Sequence, residues 1–278
     1  MAKIDPGLTG VPETLLWTLF HRASEARRPD AVLADPLAIQ LVDGIDYPFT
    51  ERFGGDVGLR AQWQALRTRR FDDEVRRFLA VHPTGTVVAL GEGLETQFWR
   101  VDNRQVRWIG VDLAPVEELR AKLLPAEPRV RTIATSVLDP AWLDELDPAG
   151  PLLVTAQGLL MYLPLDAVHE LLTTIAGRLP GATMVFDAVL KWFSAQTRKG
   201  GGRWSIAPPM PWGIDAAELA VLRAIPHIES VRRVPLPRGR GPLFGLAMPL
   251  ASRIPLLRTA NPIWVLRARF EPAALSRS

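Results

Sequence analysis

The chain contains no cysteine, which excludes a disulfide framework, a thiol nucleophile and a cysteine-held metal. Histidine is scarce too: the four present, His21, His82, His169 and His227, show no paired spacing of the kind that binds a metal. No resident metal is expected. No apolar run approaches the roughly 18 residues that span a bilayer, and the opening MAKIDPGLTG lacks the apolar core of a secretory leader. The expectation is a cytoplasmic protein without a membrane partner. Repeats and low-complexity tracts are absent, and the formal net charge is only +3 over 278 residues. So weak an excess gives little reason to expect a nucleic-acid partner.

What the sequence does have is a 47% hydrophobic content, enough to bury a sizeable core. Apolar residues recur at helical spacing in Pro12–Arg27 (Leu15, Leu16, Leu19, Ala23), in Pro36–Val42 and in Leu59–Ala80 (Trp63, Leu66, Phe71, Val75, Leu79). Beyond His82 the pattern changes. Short apolar runs at 86–90, 106–111, 131–136, 151–156 and 182–187 alternate with helix-like segments at 95–101, 115–123, 140–146 and 166–178. That alternation predicts a parallel sheet covered on both faces. The last third differs again: residues 205–262 hold ten of the 25 prolines, between strand-like fragments near 228–234 and 263–270. Proline fixes φ, so this stretch reads as an ordered cap, or lid, rather than a flexible linker. Three regions are expected: a helical cap over 1–82, an α/β Rossmann-like core over 83–200, and a proline-rich lid with sheet-completing strands over 201–278.

The segment VVALGEGLETQFWRVDN, residues 87–103, runs from a strand through a Gly-Glu-Gly turn into a helix. Gly91 and Gly93 fit a nucleotide-binding turn, but the third glycine of the dinucleotide fingerprint is replaced by Thr96. Glu92 and Glu95 in the same turn would repel a pyrophosphate. They suit a nucleoside ligand that has no phosphate and carries positive charge, of which S-adenosylmethionine is the common one. Asp112 ends the second strand about 20 residues after Gly91, the spacing at which an acid accepts hydrogen bonds from ribose hydroxyls; the same residue can also cap the following helix. Leu138 and Asp139 end the third strand, where an adenine would lie at the sheet edge, and Asp139 before Pro140 is also a helix N-cap.

The segments TGVPETLLWTLFHRASEARRPDAVLADPLA, ALRTRRFDDEVRRFL, VVALGEGLETQFWRVDN, VDLAP and TAQGLLMYL, in that order, resemble the leucine carboxyl methyltransferase family, in its bacterial branch. The resemblance implies a class I, S-adenosylmethionine-dependent O-methyltransferase acting on a small molecule. It also implies that Arg67 pairs with the methionyl carboxylate, that Gly91 and Gly93 lie under the cofactor, that Asp112 holds the ribose and that Leu138 and Asp139 frame the adenine. Gln157, after the fourth strand, stands where the family commonly has Glu. It keeps an acceptor oxygen for the cofactor's ammonium group and loses the charge, which Glu92 can supply.

Methyl transfer from a sulfonium requires alignment and exclusion of water rather than a leaving-group acid. A base is needed only if the acceptor is protonated, as a phenol near pKa 10 is and a carboxylate near 4 is not. His82 and His169 sit away from the expected strand ends, which leaves His21, in the first helix, as the candidate base. Tyr162, just past the fourth strand, is the candidate acceptor contact. The scarcity of bases favours a carboxylate acceptor on an apolar, polyketide-like metabolite. Hydroxyl methylation of a small aromatic metabolite, and a cofactor-binding homologue without catalysis, are the alternatives. Trp17, Trp192, Trp204 and Trp212 are candidates for an aromatic pocket or for core.

Overall fold

The computed structural model describes residues 3–54, 57–147, 150–199, 208–254, 259 and 261–273. The chain opens with four helices: α1 (Thr14–Ala26), α2 (Pro36–Gly44), α3 (Phe49–Phe53) and α4 (Val57–Val81). α2 starts where Asp35 accepts from the backbone N–H of Ala38 at 3.1 Å and Pro36 occupies the first turn, where its missing N–H costs nothing.

The sheet follows as β1 (Thr86–Leu90), α5 (Gln97–Val101), β2 (Arg107–Asp112), α6 (Ala114–Leu123), β3 (Val130–Ala134), β4 (Leu152–Ala156), α7 (Leu165–Arg178) and β5 (Thr183–Val189). After it come α8 (Lys191–Lys199), α9 (Ala216–Ala224), β6 (Ile228–Val234), α10 (Met248–Arg253) and β7 (Ile263–Phe270). The strand order is β3-β2-β1-β4-β5-β7-β6, parallel except for β7, which runs antiparallel to both β5 and β6. This is the expected α/β architecture. β1 pairs with both β2 and β4, so the chain reverses its direction across the sheet there. The crevice beyond the carboxyl ends of these strands is where open α/β sheets bind ligands.

All five residues of β1 are buried, as a strand covered on both faces requires. Val88 and Leu90 pack on one face with Val111, Val154 and Phe186. Val87 and Ala89 pack on the other with Phe71 and Val75 of α4. A third cluster joins α1, α2 and α3 through Leu16, Leu19, Phe20, Leu41 and Phe53, and it includes Leu94 of the glycine turn. The helical cap is thereby seated on the carboxyl end of β1.

Some element boundaries differ from expectation. The segment expected as a helix at 140–146 is a 3-10 turn over Pro140–Glu145, and the helix expected from 95 begins at Gln97, because Glu95 and Thr96 are engaged in the turn. The proline-rich stretch holds more helix than its composition suggests. α9 is capped by Asp215, which accepts from the N–H of Glu218, and a π-helical segment over Leu243–Ala247 leads into α10. Its prolines lie mostly outside these helices or in their first turns, where they do no harm. No described helix is long and apolar enough to cross a membrane.

Candidate functional site

A cavity of about 1300 Å³ opens at the carboxyl ends of β1, β2 and β4. One wall is built from the strand ends and the glycine turn. Gly91 and Gly93 both adopt positive φ, +59° and +54°, which glycine reaches without steric cost. A Cβ on Gly91 would come within 2.7 Å of the Leu159 side chain, so the close approach of the two loops also requires the absence of a side chain. The N–H of Gly93 donates to Asp112 Oδ2 at 2.8 Å, and the N–H of Leu113 to Oδ1 at 2.8 Å. These bonds hold the Asp112 carboxylate at the rim, while burial raises its pKa above the usual carboxylate range.

The two turn carboxylates are placed in different environments. Glu92 accepts from Trp108 Nε1 at 2.9 Å and lies 2.7 Å from Arg120 Nη2; burial nevertheless pushes it up to about 7. Glu95 is paired twice, with Arg100 at 2.7 Å and Arg22 at 3.0 Å, and these charges overcome burial and hold it down at about 2. Gln157 Nε2 also donates to Glu95 Oε2, at 3.0 Å, and to Thr68 Oγ1 at 3.3 Å. Glu95 and Gln157 therefore form one polar patch at the end of β4. Glu92 is turned toward α6 and Arg120.

Thr96, at the position of the absent third glycine, has a definite task. Its hydroxyl lies 2.7 Å from Asp35 Oδ1 and accepts from Arg100 Nη1 at 2.6 Å. Arg100 in turn pairs with Asp35 and Asp72, both at 2.8 Å, and Arg22 reaches Asp35 at 3.2 Å and the carbonyl of Leu94 at 2.8 Å. Arg120 donates to the carbonyl of Gly93. Three buried arginines from α1, α5 and α6 thus clamp the turn.

Of the residues predicted from sequence, Arg67, Gly91, Glu92, Gly93, Asp112, Gln157 and Tyr162 line the cavity together. Arg67, on α4, is buried and donates to Asp187 Oδ2 at 2.6 Å. Burial raises the pKa of Tyr162, so its hydroxyl stays protonated at neutral pH. Leu138, Asp139 and His21 stand outside the cavity wall. Leu138 is exposed and Asp139 caps the 3-10 turn by accepting from the N–H of Ala141 at 3.0 Å; Thr135, Ser136 and Val137 form the wall at that edge instead. His21 is fully buried against Trp17, and its Nδ1 lies 2.7 Å from the carbonyl of Trp17; desolvation lowers its pKa to about 4.

The opposite wall is apolar. Trp63 of α4, Met161, Phe193 of α8, Met210 and Ile263 form it, and Trp17 and Trp192 also line the cavity. Trp212 is core, donating to Glu218 at 3.0 Å, and Trp204 lies outside the described residues. Sequence reasoning missed Asp187, Asp35, Asp72 and Arg120. An acid inside the apolar run MVFDAV was the one visible signal, because a charge in a buried strand is retained only with a partner. Among the described residues no group of His, Asp and Glu side chains is arranged to hold a metal.

The residue pattern of the leucine carboxyl methyltransferase family matches residues 16–176. The tetracenomycin polyketide synthesis O-methyltransferase of Streptomyces glaucescens is 41% identical over 186 residues, 66% of this chain and 68% of that protein. An S-adenosyl-L-methionine-dependent methyltransferase of Gibberella zeae is 32% identical over 193 residues, covering 63% of this chain and 64% of its own length. Among solved structures, a putative methyltransferase from Thermobifida fusca superposes with a TM-score of 0.55 at 18% identity, over 91% of this chain and 94% of that one. That likeness concerns the fold.

Proposed function

This chain belongs to the leucine carboxyl methyltransferase family of S-adenosylmethionine-dependent methyltransferases, and from that premise we propose that it methylates the carboxylate of an apolar small molecule. The site fits the cofactor on its own geometry: two glycines at positive φ, a strand-end carboxylate at the rim and a buried arginine facing the same cavity. Bound there, the cofactor supplies a methyl group already activated on sulfur. We assign Asp112 to the ribose hydroxyls, Arg67 to the methionyl carboxylate, and Gln157 with Glu95 to the ammonium group. In this assignment Glu95 carries the charge that Gln157 lacks. Gly91 and Gly93 let the backbone approach the ligand, and Thr135 to Val137 border the adenine.

One observation carries the choice of acceptor: among the described residues, the cavity wall holds no histidine or lysine. Its four carboxylates are already engaged: Glu95 with Arg100 and Arg22, Glu92 with Arg120 and Trp108, Asp112 with the N–H groups of Gly93 and Leu113, and Glu13 with Arg52 at 3.0 Å. An acceptor that must lose a proton finds no base there, whereas a carboxylate needs none. Arg60, in the wall one turn from Trp63, adds positive charge that suits an anionic acceptor. Tyr162 donates a hydrogen bond that orients it. The apolar wall excludes the water that would otherwise stabilise the carboxylate and blunt its attack.

The test is a pH-rate profile on aromatic and polycyclic carboxylic acids, with the product checked for methyl release in mild alkali. A carboxylate acceptor gives a kcat nearly flat from about pH 6 to 9, since its pKa is about 4. An alkali-stable methyl ether, or a rate that climbs steadily to pH 9, would replace carboxyl with hydroxyl methylation.

A further inference from the structure

Asp187 lies in β5 and is fully buried. Both of its oxygens are committed. Oδ2 accepts from Arg67 Nη1 at 2.6 Å, and Oδ1 accepts from the backbone N–H of Gly158 at 2.7 Å. Gly158 directly follows Gln157, so one carboxylate ties an arginine of α4 to the loop that carries the amide after β4. Gly158 contributes a second constraint. Its φ is +72°, a left-handed conformation that side chains strain, and a Cβ there would stand in van der Waals contact with the Arg67 guanidinium, 3.4 Å from Nη1 and 3.7 Å from Nη2. A buried acid in an apolar strand is costly, and removing one member of a buried ion pair leaves the other uncompensated.

We propose that Asp187 is a positioning residue for cofactor binding. It fixes the Arg67 guanidinium, and through Gly158 the Gln157 amide, where they receive the amino-acid end of S-adenosylmethionine. This rests on the assignment of Arg67 to the methionyl carboxylate. Without Asp187, Arg67 is an unpaired buried cation whose side chain turns toward water in the cavity, and binding then has to reorder it. Preorganisation by the acid removes that cost.

The experiment is calorimetric titration with two ligands, S-adenosylhomocysteine and 5′-methylthioadenosine, which shares the nucleoside and sulfur but has no amino-acid end. Asp187→Asn is expected to weaken S-adenosylhomocysteine tenfold or more while changing 5′-methylthioadenosine less than threefold. An equal loss for both ligands would assign Asp187 a purely structural role, and unchanged or tighter S-adenosylhomocysteine binding would also overturn the proposal. Gly158→Ala leaves both charges in place and strains the positive-φ backbone that presents the Gly158 N–H to Asp187, so it serves even if Asp187→Asn does not fold. It is expected to show the same selective loss, and a loss shared by both ligands, or none, overturns the proposal. Arg67→Ala separates this from its premise: a selective loss there keeps the arginine assignment whatever Asp187 does, and an equal effect on both ligands removes assignment and proposal together.

Discussion

The two walls of the cavity are held by different forces. The cofactor wall is clamped by buried ion pairs, with Arg22, Arg100 and Arg120 reaching from three helices into one glycine turn. The acceptor wall is shaped by packing: Trp63 is held by one hydrogen bond to Asn261 at 3.3 Å, and Met210 by the hydroxyls of Ser194 and Thr197 at 2.7 and 3.1 Å. Ion pairs and charge-assisted hydrogen bonds are directional and lose sharply when one partner goes. Dispersion and hydrophobic burial are not directional and tolerate changes of shape. In the assignment proposed above, the difference implies that cofactor geometry is fixed at the cost of desolvated charges, and that the acceptor side is expected to change without disturbing it.

The largest expected effect comes from breaking the clamp. Arg100→Met takes an arginine from three buried carboxylates, those of Asp35, Asp72 and Glu95, of which Asp35 and Glu95 keep Arg22, and breaking such a pair costs about 3–5 kcal/mol. At about 2–4 °C per kcal/mol for a chain of this size, thermal melting should fall by about 6–20 °C. A fall within about 3 °C would mean that the clamp is not what holds this wall.

Thr96→Gly restores the third glycine of the dinucleotide pattern. It should cost about 1–2 kcal/mol in melting experiments, through the lost hydroxyl bond to Asp35 and the added backbone freedom. It should also leave titration with NAD silent, because the buried carboxylates that repel a pyrophosphate stay in place. Detectable NAD binding would show that Thr96 alone sets the ligand class.

An effect of similar size belongs to pH. Glu92 is pushed up to about 7 from an ordinary 4.5, so between these values the native state binds more protons than the unfolded state. Stability contributed by this group is therefore present below about pH 4.5 and is lost as pH rises to about 7. Glu95, held at about 2, acts in the opposite sense but only below 4.5, so the two windows do not overlap. Relative to the parent, Glu92→Gln should gain about 2 kcal/mol in melting experiments between about pH 5 and 7; the comparison is between the two proteins because His21, lowered to about 4, adds a rise in this window to both. Identical slopes for the two proteins would place the Glu92 proton elsewhere.

The smallest effect tests the independence of the walls directly. Trp63→Ala removes the aromatic side chain from the apolar wall and is expected to leave S-adenosylhomocysteine affinity within about twofold, since Trp63, though one turn from Arg67, packs against Met161, Phe193, Met210 and Ile263 and not against the ion-pair clamp. A loss beyond about fivefold would couple the walls through α4, which carries both Trp63 and Arg67.

Much of this arrangement was legible one residue at a time. Gly91 and Gly93 announced a turn, Asp112 a strand-end acid, and the alternation from β1 to β5 a parallel sheet, because each is a local consequence of φ, spacing or period. Arg67 and Gln157 were found through resemblance to a family, and the cavity does bring them together. Leu138 and Asp139 were placed by counting from a strand end. β3 stops at Ala134, earlier than the apolar pattern suggests, so the wall falls to Thr135, Ser136 and Val137. His21 looked accessible on a helix expected to cover the pocket, yet its own helix turns it inward against Trp17.

The sequence by itself determined the class of fold, the position of the glycine turn and the scarcity of bases, because composition and period need no knowledge of which segments meet. Tertiary structure alone decided the partners. Asp35 and Arg100 are 65 positions apart, and Arg67 and Asp187 are 120 apart. Nothing in the local pattern of either residue specifies the other. Such pairs exist because burial makes an unpaired charge intolerable, so the packed fold selects its counter-ion from whichever element is delivered alongside.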